Sequence, residues 1–150
     1  AREVFFSFFN NDARALCFAA ELANLFYEPR FRRSAEMGFA FAQAMMCRRT
    51  AGLERFTFAS RAAAQGEREG FYWLGVCYRD GDGCERDLEK AKENYLLAAK
   101  MDFVYAMDIY GELFDEPDPQ HWHWWGLAAA RGRAGKFSDS IFKSRRSLRV

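Results

Sequence analysis

Small and large apolar residues recur three and four positions apart along most of the chain, the spacing of a helix face. The clearest stretch runs from Gly70 to Lys100. Leu74, Gly75 and Tyr78 mark a first helix, and Ala91, Tyr95, Ala98 and Ala99 mark a second. Small residues at Gly75, Ala91, Ala98 and Ala99 let two helices approach, while Leu74, Tyr78 and Tyr95 fill the gaps beside them. Between the helices, Gly81 and Gly83 can take the positive φ of a tight turn. Asp87 can cap the second helix by accepting backbone N–H bonds. Glu89 with Glu93, and Lys90 with Asn94, sit one turn apart and face water.

These residues resemble a Sel1-like repeat, a relative of the tetratricopeptide repeat. The resemblance rests on Leu74-Gly75, Tyr78, the Gly81 and Gly83 turn, Asp87, Lys90-Ala91 and Ala98-Ala99, with Cys84 in place of the usual small aliphatic residue. A repeat architecture must show a period. Ala63-Ala64 precede Ala98-Ala99 by 35 positions, and the same step takes Gly70, Leu74 and Gly75 back to Ala35, Phe39 and Ala40. A later copy takes Ala106, Tyr110, Gly111 and Phe114 in its first helix. Its second takes Asp118, Trp125 and Ala129-Ala130, with Gly132 after it. The division is therefore a helical cap over 1–34, repeats over 35–69, 70–104 and 105–133, and a basic tail over 134–150. The fold this implies is all-α: a right-handed α-solenoid of about three Sel1-like hairpins with an extra N-terminal helical cap.

Around the repeats, Arg2 to Asn10 read as an aromatic helix or an extended arm. Asn11 or Asp12 caps a helix to Tyr27 with Leu16, Ala19, Ala20 and Ala23 on one side. Pro29 ends it, and Arg30 to Arg33 form a basic link. Gly132 and Gly135 break the last helix, and Ser138 caps a short terminal one. Half of the residues are hydrophobic and 17% aromatic, against a disordered chain. The formal net charge is +1, against a protein that coats nucleic acid. Basic residues nonetheless crowd the end of the chain, at Arg131, Arg133, Lys136, Lys143, Arg145, Arg146 and Arg149. No apolar run approaches the ~20 residues of a membrane helix, and no secretory signal is visible.

Candidate chemistry is sparse. Cys17, Cys47, Cys77 and Cys84 form no CxxC pair. They read as small buried thiols, which favours a reducing intracellular compartment, with a Cys77–Cys84 bridge as the alternative. Asp80-Gly81-Asp82-Gly83 lacks the acidic spacing and terminal glutamate of a calcium loop. His121 and His123, two apart on a helix, point to different sides and chelate one metal poorly. The stretch His121 to Trp125 reads as core aromatics with exposed histidines, and a metal or cation-binding aromatic cage is the alternative. The resemblance puts Trp125 in the repeat's aromatic slot and Trp122 where the family prefers alanine. No histidine is paired by motif with a nucleophile, and no phosphate-cradling loop is present. The chain is expected to be no enzyme and to need no cofactor.

A helical-repeat scaffold or adaptor for a protein or peptide partner is the function the resemblance implies. The alternatives are a subunit of a larger assembly, and a basic-tail module at a membrane surface or nucleic acid. In tetratricopeptide-like stacks the first helix of each hairpin lines a concave groove. Carried over, that places Met37, Phe41, Ala44 and Met45 in the first repeat, Tyr72, Val76 and Arg79 in the second, and Asp108, Glu112 and Asp115 in the third. The line runs from apolar to acidic. It suits an amphipathic segment with one apolar and one basic end, unless the N-terminal helix or the basic tail fills it.

Overall fold

The computed structural model describes residues 28–115 and 117–132. Among the described residues lie seven helices and no strand: α1 Glu28–Glu36, α2 Ala40–Met46, α3 Gly52–Ala64, α4 Arg68–Asp80, α5 Leu88–Lys100, α6 Val104–Glu112 and α7 Pro119–Ala130. The all-α expectation holds for them. They belong to two compact units that divide after Asn94, within α5. The helix expected to end at Tyr27, Cys17 within it, and the basic tail lie outside the described residues.

In the first unit α1 packs on α2, α2 on α3, α3 on α4, and α2 also lies beside α4. Phe31, Ala35, Ala42, Met46, Cys47, Phe58 and Ala59 form its core, with Trp73 and Leu74 packed against them from α4. The run Arg30 to Arg33, expected as a link, is helical. Pro29 lies in the first turn of α1, where a missing N–H breaks no helical bond. Phe31 then turns inward and Arg32 reaches across to pair with Glu54 on α3.

The first repeat departs further from expectation. A single first helix over residues 35 onward does not form, because α1 ends at Glu36 and α2 starts at Ala40. Gly38 takes φ 95°, and the Phe39 N–H bonds back to the Ser34 carbonyl at 3.2 Å, five residues earlier. That pair of features is a Schellman-type helix stop. Phe31, Ser34 and Ala35 are buried from the helix before the stop, and Ala42, Gln43, Ala44 and Met46 from the one after it.

The same stop recurs and sets the true register of the repeats. Gly66 takes φ 78° while the Glu67 N–H bonds to Ala62 O at 3.0 Å, and Asp102 takes φ 62° while the Phe103 N–H bonds to Ala98 O at 3.1 Å. Ala62 and Ala98 therefore do one job 36 positions apart, and the buried pair in α3 is Ala62-Ala63, with Ala64 exposed. At the end of α7 the Arg131 N–H bonds to Ala128 O at 3.2 Å and the Gly132 N–H to Ala129 O at 3.0 Å. Ala128 is buried and Ala130 exposed. Both outer alanine pairs thus sit one residue earlier than expected. Each belongs to a run of three alanines, in which a pair can be placed two ways.

Helix α4 crosses α3 closely at Gly70, where a Cβ would sit 2.5 Å from the Ala63 nitrogen. In the second unit α6 and α7 form a hairpin. Gly111 lets the Trp125 ring lie flush on α6: a Cβ there would be 2.5 Å from Trp125 Cδ1. Trp125 Nε1 donates to the Asp108 carbonyl at 3.2 Å, which anchors the indole. Asp118 caps α7 by accepting from the Gln120 N–H at 2.8 Å, with Pro119 at the first position. Asp87 caps α5 through the Lys90 N–H at 3.1 Å.

Candidate partner-binding face

The residues expected to line the groove do not all reach the surface. Ala44, Val76 and Asp108 are buried and offer no side chain to a partner. They correct the expectation: each lies on the side of its helix that packs inward, and Val76 is flanked by Gly75 and Cys77, which are buried as well. Met37 is 44% exposed, in the turn before α2 rather than on it. Phe41 and Met45 are half-buried, resting on the core of the first unit while keeping one edge in solvent. Tyr72 and Arg79 are half-buried on α4. Glu112 and Asp115 are exposed in the second unit.

On α2 and α4, Phe41 with Met45 and Tyr72 with Val76 are each one turn apart, and the two helices are neighbours. The geometry therefore assembles Phe41, Met45 and Tyr72 on one unit, with Tyr72 set edge-on to Trp73 at 5.3 Å. Trp73 was not anticipated. It carries Arg55 over its ring at 5.3 Å and packs against the core beneath. Its signal in the sequence was only its place one step from Tyr72. Glu69 was missed as well. It is half-buried at the start of α4, and its Oε2 is buried without a hydrogen bond. Burial pushes its carboxyl above the ordinary range, against the opposing pull of Arg48.

The Asp80 to Gly83 loop serves structure. Asp82 Oδ1 accepts the Gly52 N–H at 2.6 Å, and Oδ2 accepts Arg55 Nη1 at 2.6 Å. One carboxylate thus caps the start of α3 from a neighbouring hairpin and fixes Arg55. A Cβ on Gly83 would run into the Gly52 carbonyl, and Gly83 also takes φ 79°. Both oxygens of Asp82 are occupied by protein donors, and among the described residues no cluster of histidine, cysteine and carboxylate could hold a metal.

The histidine expectation is reversed at one position. His121 is 5% exposed, while Trp122 is 43% exposed. Trp125 stands 30 positions after Tyr95, so the slot of Ala91 falls on His121, not on Trp122. Its Nδ1 lies 2.9 Å from Gly111 O and 3.0 Å from Phe114 O, so Nδ1 carries the proton and closes the end of α6. The ring lies 4.2 Å from that of Trp125. His123 is exposed.

Cys47, Cys77 and Cys84 are thiols. Burial above all pushes Cys47 and Cys77 up to about 12, far from the reactive thiolate range. Cys47 donates its S–H to Gln43 O at 3.3 Å. None of these groups is poised for nucleophilic chemistry.

Several solved structures are similar to this chain, two of them as follows. A Sel1 repeat protein from Oxalobacter formigenes superposes with a TM-score of 0.62 at 23% identity, over 71% of this chain and 49% of that one. This is a Sel1-like repeat fold. A protective antigen present in uropathogenic Escherichia coli strains, which displays an SLR fold, superposes with a TM-score of 0.60 at 24% identity, over 69% of this chain and 25% of that one. The chain therefore spans about half the length of the first protein and a quarter of the second. No family model matches the sequence, and no curated protein does.

Proposed function

We propose that the protein is a non-catalytic helical-repeat adaptor that holds a protein segment against the first helices of its repeats. The observation that carries this reading is the half-exposed apolar surface of Phe41, Met45 and Tyr72 on two neighbouring helices. Such anchors at helical spacing suit a helix or an extended segment laid across them. Met37 and Met45 adapt in shape to what they touch. Glu112 and Asp115 supply carboxylates in the second unit, which suit a basic stretch of the partner. A Sel1-like fold generally acts as a scaffold for protein partners without chemistry of its own, and this chain's thiols and histidines fit that role. No described helix is long and apolar enough to cross a membrane.

The test is a comparison of purified complexes. Tagged full chain and its Met37→Lys/Tyr72→Ala variant are isolated under identical conditions, with circular dichroism to confirm equal helicity. Specific partners should accompany the parent chain and drop out of the variant. An unchanged set of partners in the variant would refute this surface.

A further inference from the structure

Glu69 carries a carboxyl group into a helix contact that gives it no partner. It stands in the first turn of α4, which packs on α2 and α3. It lies by the end of α2, where its charge reaches the Cys47 thiol at the C-cap. Its Oε2 is buried and accepts no hydrogen bond. None of the ion pairs among the described residues includes it. The backbone beside it is fixed. The Gly70 N–H bonds to Glu67 O at 3.0 Å, and Gly70 lies so close to α3 that a Cβ would meet the Ala63 nitrogen at 2.5 Å. A shift of the helix start therefore cannot carry the side chain out to water without opening the α3–α4 contact. The charged groups around it do not offset its burial. Helix α2 holds none, and the chain beyond it brings Arg48, which favours the ionised form. On its own helix Arg68 does the same, and Glu67, next to α4, opposes it. Of the charged residues on α3, Glu54 pairs with Arg32, Arg55 is held by Asp82, and Arg61 is exposed. Burial outweighs these pulls and favours the neutral acid more than water does.

We propose that Glu69 is a pH-sensitive latch between α4 and α2: it seats as the neutral acid, and its ionisation as pH rises loosens the start of α4 from α2. An ordinary glutamate gives up its proton at 4.5, whereas the seated carboxyl keeps it to higher pH. Folding therefore takes up a proton above 4.5. The stability tied to this group is fullest below that value and falls as pH rises through the folded carboxyl's own titration. Phe41, Met45 and Tyr72 lie on the same two helices, so the spacing of the surface they form follows the proton on Glu69. That consequence rests on the adaptor reading, and the latch itself does not.

The test compares the full chain with its Glu69→Gln variant, which keeps the shape of the neutral acid. Urea midpoints are measured at pH 5 and pH 8. Every other group titrates alike in the two proteins, so the difference between them reads Glu69. The variant should have the higher midpoint at pH 8, and the gap should narrow at pH 5. Hydrogen exchange at pH 8 should be slower in the variant across residues 40–47 and 68–74, the two sides of the contact. The parent chain alone gives a second reading, independent of how well the variant folds. The carboxyl carbon of Glu69, followed by NMR, should titrate above 4.5. The same pH dependence in both proteins, unchanged exchange at the contact, or a Glu69 midpoint at or below 4.5 would each overturn the latch and leave the adaptor reading standing.

Discussion

Asp82 shows how one residue can be legible in kind and illegible in role. The sequence placed it in a glycine turn and set calcium aside by spacing. Nothing local disclosed that its carboxylate would reach 30 positions back to the Gly52 N–H and take Arg55 with it. Replacing Asp82 with alanine strands a backbone donor and a half-buried guanidinium, and should cost ~1–3 kcal/mol by chemical denaturation. A change within error would show that water replaces the carboxylate. Gly83 sharpens the same point. Gly66 and Gly83 share a positive φ, but an added Cβ meets nothing at Gly66 and backbone at Gly83. Gly66→Ala should therefore cost about 1 kcal/mol from backbone strain alone, and Gly83→Ala clearly more. Equal costs would mean the Asp82 loop shifts freely. The thiols give a pH dependence. Cys47 and Cys77 hold their protons to about 12 when folded, against 9.0 ordinarily. Unfolding therefore releases protons above pH 9, so the stability these thiols allow is full below that value and falls as pH rises towards 12. The slope is on the order of 1 kcal/mol per pH unit for each. Urea titrations at pH 8 and 10 should show the loss in the parent chain and less of it in a Cys47→Ala/Cys77→Ala variant. Parallel losses in the two proteins would count against deep burial of these thiols.

Among the elements, α6 and α7 pack through one glycine and one indole. Their test is a pair of glycines. Glycine to alanine in an open helix site gains up to about 1 kcal/mol, whereas overpacking a tight contact costs ~1–3 kcal/mol. A Cβ at Gly126 meets nothing within 4 Å, and one at Gly111 meets the Trp125 ring. Gly126→Ala should raise the Tm and Gly111→Ala should lower it, with a shift in tryptophan emission for the second only. The same sign for both would contradict the Gly111–Trp125 contact. The least readable elements were α1 and α2. Ala35, Phe39 and Ala40 matched the later repeat in position, yet Gly38 divides the expected helix. A period counts positions and cannot tell a glycine inside a helix, like Gly75, from one that ends it. The alanine runs misled for a related reason, since three alanines in a row place a pair with no unique register. His121 followed from that shift: with Trp125 as the reference its burial could have been read, and the alanine pair was the weaker landmark.

For the whole molecule, the resemblance to a Sel1-like repeat located an all-α repeat fold, because close-packing glycines, alanines and aromatics leave a direct trace in the sequence. The face proposed for a partner left a fainter one. Counting along the first helices returned half-buried Phe41, Met45 and Tyr72 together with buried Ala44 and Val76, because a count along the chain does not say how deeply each position of a helix is covered. Trp73, Arg48 and Glu69 came into view only with α2 beside α4. The proposed adaptor role requires a partner to sit on that face. The direct measurement is hydrogen exchange of the full chain, read by mass spectrometry, with and without a protein that co-purifies with it. Slowed exchange in residues 37–48 and 68–79 is the result expected, with little change in α3. Protection confined to α3, or to residues outside 37–48 and 68–79, would contradict it.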